Sequence, residues 1–182
     1  MVVFPFAMPV LRKKRRNTRS PLTAEVRVRF VEGYLGLGML RQAAAEIRAI
    51  RAKDRHLPAV LAARAELHLE AKEWEQLIAI GRELARRHPG TPQGWIHWAY
   101  ALRELGRVEQ ALQVLLEAEP LHPKVGVIHF NLACYHCLLG DLRSAKRRLE
   151  RACRIKSDWK TTALEDPDLK ELWNHYTPEQ IS

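Results

Sequence analysis

The chain has 182 residues, 47% of them hydrophobic and 28% charged, with a formal charge of +9 at pH 7. That is apolar material for one ordinary folded domain, and too much of it for a wholly disordered chain. Aromatics make up only 7% while Ala, Leu, Arg and Glu abound, which favours helix over a strand-rich sandwich.

No apolar run reaches the ~18 to 20 residues of a spanning helix, so no transmembrane segment is expected. Three cysteines make no disulfide framework, which fits a reducing compartment, and a cytoplasmic location is expected.

Residues 1–11 (MVVFPFAMPVL) are apolar, and the run RKKRRNTR follows. A secretory signal has the opposite order, and Pro5 and Pro9 break both an apolar core and an amphipathic presequence helix. Residues 1–19 read as a solvated, disordered basic tail, with binding to RNA, DNA or anionic lipid as the alternative. Six of the bases fall within residues 1–23, which hold no acid, so the remainder carries only +3. The high overall charge is therefore weak evidence for nucleic-acid binding.

A domain is expected over 20–176, opened by Ser20-Pro21 as an N-cap and first-turn proline. Within it, segments 24–57, 58–91, 92–125 and 126–159 align without a gap as four 34-residue blocks. Position 8 carries Val31, Ala65, Ala99 and Ala133, and position 20 carries Ala43, Leu77, Ala111 and Ala145. Position 15 is Gly38, Lys72, Gly106 and Gly140; position 32 is proline in the middle blocks, Pro89 and Pro123. Positions 4, 7, 8 and 11 form one apolar stripe at helical spacing, and 17, 20, 24 and 27 form another. Each block is thus a helical hairpin, with glycine ending its first helix and proline stopping its second. A single hairpin cannot bury both stripes, whereas four stacked in series can.

The blocks resemble the tetratricopeptide repeat, across 136 of the 182 residues. Trp95, Trp98, Ala99, Leu102, Gly106, Ala111, Leu115, Ala118 and Pro123 make the third block a nearly full match. The resemblance implies an all-α, right-handed solenoid with a concave groove. Block two departs from it: Arg64 takes a core position and Gly81 replaces a bulky residue, a gap that Trp74 is expected to fill. After block four, Asp166-Pro167 opens a capping helix within 163–176, with Leu169, Leu172 and Trp173 on one face, followed by a short tail at 177–182. The stretch ALEDPDLKELW resembles the segment after the last repeat of many bacterial tetratricopeptide proteins.

Catalytic and metal motifs are sparse. Cys134 and Cys137 form a CxxC, but in mid-helix and without a second pair, so they read as small buried thiols. No paired-histidine, nucleophile-elbow or phosphate-loop motif occurs. Neither an enzyme, nor a cofactor, nor a metal is expected.

The resemblance implies that positions 2, 5, 6, 9, 12 and 13 of each first helix line the groove. These give Glu32, Glu66, Glu70 and Glu104 as an acidic wall, with Ile96, His97, Tyr100, Phe130, Asn131, Cys134 and Leu138 beyond it. The expected function is an adaptor holding a peptide of a partner protein, one that is basic with apolar anchors. The Lys and Asn that other family members use to clamp acidic chaperone tails are replaced here by Val28 and Glu32. The alternative is a nucleic-acid or membrane-surface protein using the basic tail and the basic second helix of block four, where Arg143, Arg147, Arg148, Arg151 and Arg154 cluster.

Overall fold

A computed structural model describes residues 22–181; the expected tail at 1–19 and the helix start at Ser20-Pro21 lie outside them. Within the described residues, α1 (Ala24–Gly36) and α2 (Leu40–Arg48) form the first hairpin. Three more follow: α3 (Pro58–Glu70) with α4 (Trp74–Arg87), α5 (Pro92–Glu104) with α6 (Val108–Ala118), and α7 (Gly126–Leu138) with α8 (Leu142–Ile155). The first helices begin at Ala24, Pro58, Pro92 and Gly126, and the second at Leu40, Trp74, Val108 and Leu142. The chain closes with α9 (Trp159–Glu165), a 3-10 turn at Pro167–Leu169, α10 (Lys170–His175) and a last 3-10 turn at Pro178–Gln180. The result is all-α.

Local chemistry sets these boundaries. Thr23 caps α1, its side chain accepting from the Val26 amide at 3.4 Å, and Asp141 caps α8 by accepting from the Ser144 amide at 3.0 Å. Every hairpin turns through a left-handed residue: Gly38, Gly106 and Gly140 at φ of 69°, 72° and 80°, and Lys72 at 54°. The loops back to the next hairpin are tied by position-4 rings. Trp95 Nε1 donates to the Pro89 carbonyl at 3.3 Å, and His129 Nε2 donates to the Pro123 carbonyl at 3.0 Å. Those carbonyls would otherwise lack helical partners.

The small residues at positions 8 and 20 (Ala65, Ala99, Ala133, Ala43, Ala111, Ala145) are fully buried, so the paired helices approach closely. Between hairpins the tightest junction is α4 on α5. A Cβ built on Gly81 would lie 2.8 Å from the Trp98 amide nitrogen, and one on Gly94 would lie 2.6 Å from that of Ala85. The gap expected at Gly81 is therefore filled by the α5 backbone. Trp74, expected to fill it, instead meets Tyr100 edge-on, with ring centroids 6.0 Å apart.

The core is divided. One buried cluster joins α1, α2 and α3 through Val28, Val31, Ala43, Val60 and Leu67. A small one holds Ala65, Leu77, Ile80 and Ala101, and the largest runs from Ala85 to Ile181. Arg64 occupies its core-stripe position only half-buried. With Ile47, Arg48, Arg55 and Val60 it lines a 220 Å³ cleft between α2 and α3.

At the other end, Leu169 and Leu172 are fully buried, and half-buried Trp173 donates from Nε1 to the Ala163 carbonyl at 2.8 Å. The covering segment begins earlier than expected, because Trp159 opens α9 and stacks on Phe130 at 4.8 Å.

Two substitutions check this packing. Gly94→Ala should lower stability by about 1 to 2 kcal/mol despite the ~1 kcal/mol gain in helix propensity, since the new methyl meets backbone that cannot move aside. A melting temperature at or above wild type would contradict the close crossing. Conversely, Lys72→Gly relieves a left-handed side-chain conformation that disfavours L-residues by roughly 1 to 2 kcal/mol, so thermal or urea unfolding should show equal or higher stability. Gly106→Ala at the equivalent turn should destabilise.

Candidate functional site

The first helices pack side by side, α1 on α3, α3 on α5 and α5 on α7. Their 34-residue spacing brings Glu32, Glu66, Tyr100 and Cys134 to the same position of successive helices. Glu32 and Glu70 are exposed and have no cationic partner among the described residues. Glu66 lies 3.4 Å from His97 Nε2. Burial pushes the His97 imidazole below its ordinary value, with the Glu66 charge opposing it, and its Nδ1 is buried with no partner among the described residues. Tyr100 is 37% exposed; its phenol is pushed up by burial and by the neighbouring Glu104 carboxylate.

Toward the fourth hairpin the face is covered by the chain's own C-terminal segment. The 3-10 turn Pro167–Leu169 packs against α7, and Asp168 is gripped from α5 by Arg103 across 65 residues of sequence. Arg103 Nε donates to Asp168 Oδ2 at 2.8 Å, Nη2 donates to Oδ1, and Nη1 donates to Glu104 Oε1 at 2.5 Å. This two-pronged pairing of a planar guanidinium with a carboxylate is geometrically specific. The Asp166 side chain stabilises the turn by accepting from the Asp168 amide at 2.9 Å.

Under the turn lies a cavity of about 260 Å³, lined by Tyr100, Arg103, Glu104, Asn131, Cys134, Tyr135 and residues 166–168. Four of the residues expected on the ligand face, Tyr100, Glu104, Asn131 and Cys134, converge there. Others do not. Phe130, expected to face a ligand, is only 5% exposed, because Trp159 of α9 stacks on it. Ile96 is half-buried against the main core, and Leu138 is 45% exposed at the end of α7. Arg103, Tyr135, Asp166 and Asp168 were not among the expected site residues. Arg103 stands at groove position 12 of its block, and the DPDL stretch carries the matching acids, so a signal existed for the pair. Tyr135 carried none, since its position 10 belongs neither to the groove set nor to the apolar stripe.

Cys134, Asp166 and Asp168 hold ligand atoms within 4.8 Å of one another, a potential metal triad. Their chemistry argues against that use. Both Asp168 oxygens are engaged by Arg103, and burial pushes the Cys134 thiol far up, so a thiolate is disfavoured. Cys137 is also buried and pushed up, with a Leu172 backbone hydrogen bond working against the shift.

On α8 a different surface appears. Arg147, Arg148, Arg151 and Arg154 line a 520 Å³ cleft with Leu116, His136, Ser144 and Glu150. Arg148 pairs with Glu119, and Lys146 with Glu150 at 2.6 Å. Arg143, Arg147, Arg151 and Arg154 have no carboxylate partner among the described residues. No helix among the described residues is long and apolar enough to cross a membrane.

The sequence matches no protein-family model and no curated protein. The fold, in contrast, is similar to several solved structures. A thermophilic TPR protein of Thermus thermophilus superposes with a TM-score of 0.63 at 22% identity, over 82% of this chain and 86% of that one. PilF of Pseudomonas aeruginosa gives a TM-score of 0.70 at 24% identity, over 85% and 70% of the two chains. YrrB, described as a TPR protein with an unusual peptide-binding site, gives 0.60 at 12% identity, over 81% and 80%. With four stacked helical hairpins and this likeness across most of its length, the chain has the tetratricopeptide-repeat fold.

Proposed function

We propose that the chain is a non-catalytic adaptor that holds a peptide segment of another protein against the concave face formed by α1, α3, α5 and α7. The observation that carries this reading is the contrast along that face. Its N-terminal half presents carboxylates without cationic partners among the described residues, and its C-terminal half presents Tyr100 beside a side-chain-sized cavity. Exposed ion pairs contribute only ~0.2 to 1 kcal/mol each, so acids alone would hold nothing. Aromatic and apolar contacts near the cavity supply the anchor, and the acids favour a basic partner. YrrB's peptide-binding site supports the reading by analogy of fold.

A second reading, contact with an anionic polymer through α8, rests on the arginines that lack carboxylate partners there. The two readings differ in salt response. A photo-crosslinking residue placed at Glu70 should capture a protein partner in native lysate, and capture should persist when salt is raised to about 0.5 M before irradiation, because apolar anchoring is not screened. The same residue at Arg143 should capture nothing at that salt. Capture of nucleic acid at Arg143 alone, lost steeply with salt, would replace the first reading by the second.

A further inference from the structure

Three carboxylates, of Glu104, Asp166 and Asp168, line the cavity beneath the C-terminal turn, against the single guanidinium of Arg103. Arg103 is already engaged by Asp168 and Glu104. One Asp166 oxygen accepts from the Asp168 amide, and no donor among the described residues reaches the other. Tyr135, a residue only 2% exposed, also lines the cavity, and its buried hydroxyl has no hydrogen-bond partner among the described residues. A buried hydroxyl left without a bond is unfavourable, and here it stands beside an excess of acceptors. The Asn131 amide and the Tyr100 phenol complete the lining. What is missing from this arrangement is a positively charged donor.

We propose that this pocket receives a lysine or arginine side chain of the peptide that the first-helix face holds. The proposal rests on the peptide-binding reading above and adds to it a specificity pocket built by the C-terminal turn. At about 260 Å³ the cavity is smaller than the ~300 to 1,000 Å³ of sites for drug-sized ligands, which suits a single side chain. Tyr100, Tyr135 and Pro167 provide apolar surface for its methylene stem. The charged head meets the unengaged Asp166 oxygen and the Tyr135 hydroxyl, which then accepts. Charge-assisted bonds of this kind are the strong ones, and acceptors here outnumber donors, which disfavours an anion. Burial pushes the Asp166 carboxyl up, and a bound cation would reverse that.

The test uses the full chain and an array of decapeptides. Flanking positions vary among Leu, Phe, Ser, Asn and Glu, and the central residue is Lys, Arg, acetyl-lysine or norleucine. The strongest binders should carry Lys or Arg, and acetyl-lysine or norleucine should weaken them about tenfold or more, the worth of one charge-assisted hydrogen bond. Tyr135→Phe removes an unpartnered hydroxyl, so its melting temperature should stay level or rise while the preference for Lys and Arg falls. Asp166→Asn keeps the acceptor for the Asp168 amide and should lose the preference as well. Tight binding that is indifferent to norleucine overturns the pocket and leaves the peptide-binding reading intact. If no peptide binds, that reading fails, and N-acetyl-lysine methylamide decides the pocket alone. Shifted Tyr135 ring resonances at millimolar concentration support it, and unshifted ones overturn it. Free spermidine that binds there as tightly as the lysine peptides assigns the pocket to soluble amines and overturns the peptide source.

Discussion

Each hairpin in this chain carries an apolar face that only the next hairpin can cover, and everything else in the structure follows from that dependence. The burial of Ala65, Leu77, Ala99, Leu115, Ala133 and Leu149 is shared between neighbours, so no hairpin has a core of its own. Such a stack has an end problem. Its last face must be closed by something that is not another repeat, and here α9, α10 and the turns around them close it with Leu169, Leu172 and Ile181.

The closing segment has a second effect that its packing role does not require. To reach from α8 back toward α5, the chain bends at Asp166-Pro167-Asp168, and Arg103 fixes that bend from the opposite side. The turn thereby covers Cys134 and encloses a cavity beside Tyr100, where an unmodified repeat surface would be open. A structural cap has become one wall of a cavity. The acids at the far end of the face have no such cover.

The helical period was legible because its signals are local and repeated. Glycine at position 15 meets a backbone requirement that the structure shows at Gly38, Gly106 and Gly140, and Lys72 adopts the same conformation without a glycine's freedom. Gly81 was misleading because an absent side chain reads as a gap in one repeat, whereas its space belongs to the backbone of the next. The same limit applied to the site. Tyr100, Glu104, Asn131 and Cys134 could be read from position alone, since a helix determines its own faces. The burial of Phe130 under Trp159, and the convergence of Arg103, Tyr135, Asp166 and Asp168, depend on how a non-repeating segment folds back, for which periodicity carries no information.

The hydrophobic interior is divided within α3, where one buried cluster ends on Val60, Ala63 and Leu67 and another begins on Ala65, and that division bears on how the molecule comes apart. In a stack held only by neighbour contacts, opening begins at the weakest junction. The first hairpin shares its buried cluster with α3 alone, whereas α4 and α5 are joined backbone to backbone at Gly81 and Gly94. The cluster of α1, α2 and α3 should therefore open separately from the main core, exchanging its amide hydrogens while α5, α7 and the C-terminal turn stay protected. Binding would be anchored on a persistent half of the molecule, and a long ligand reaching the acidic half would bring order to the part that frays.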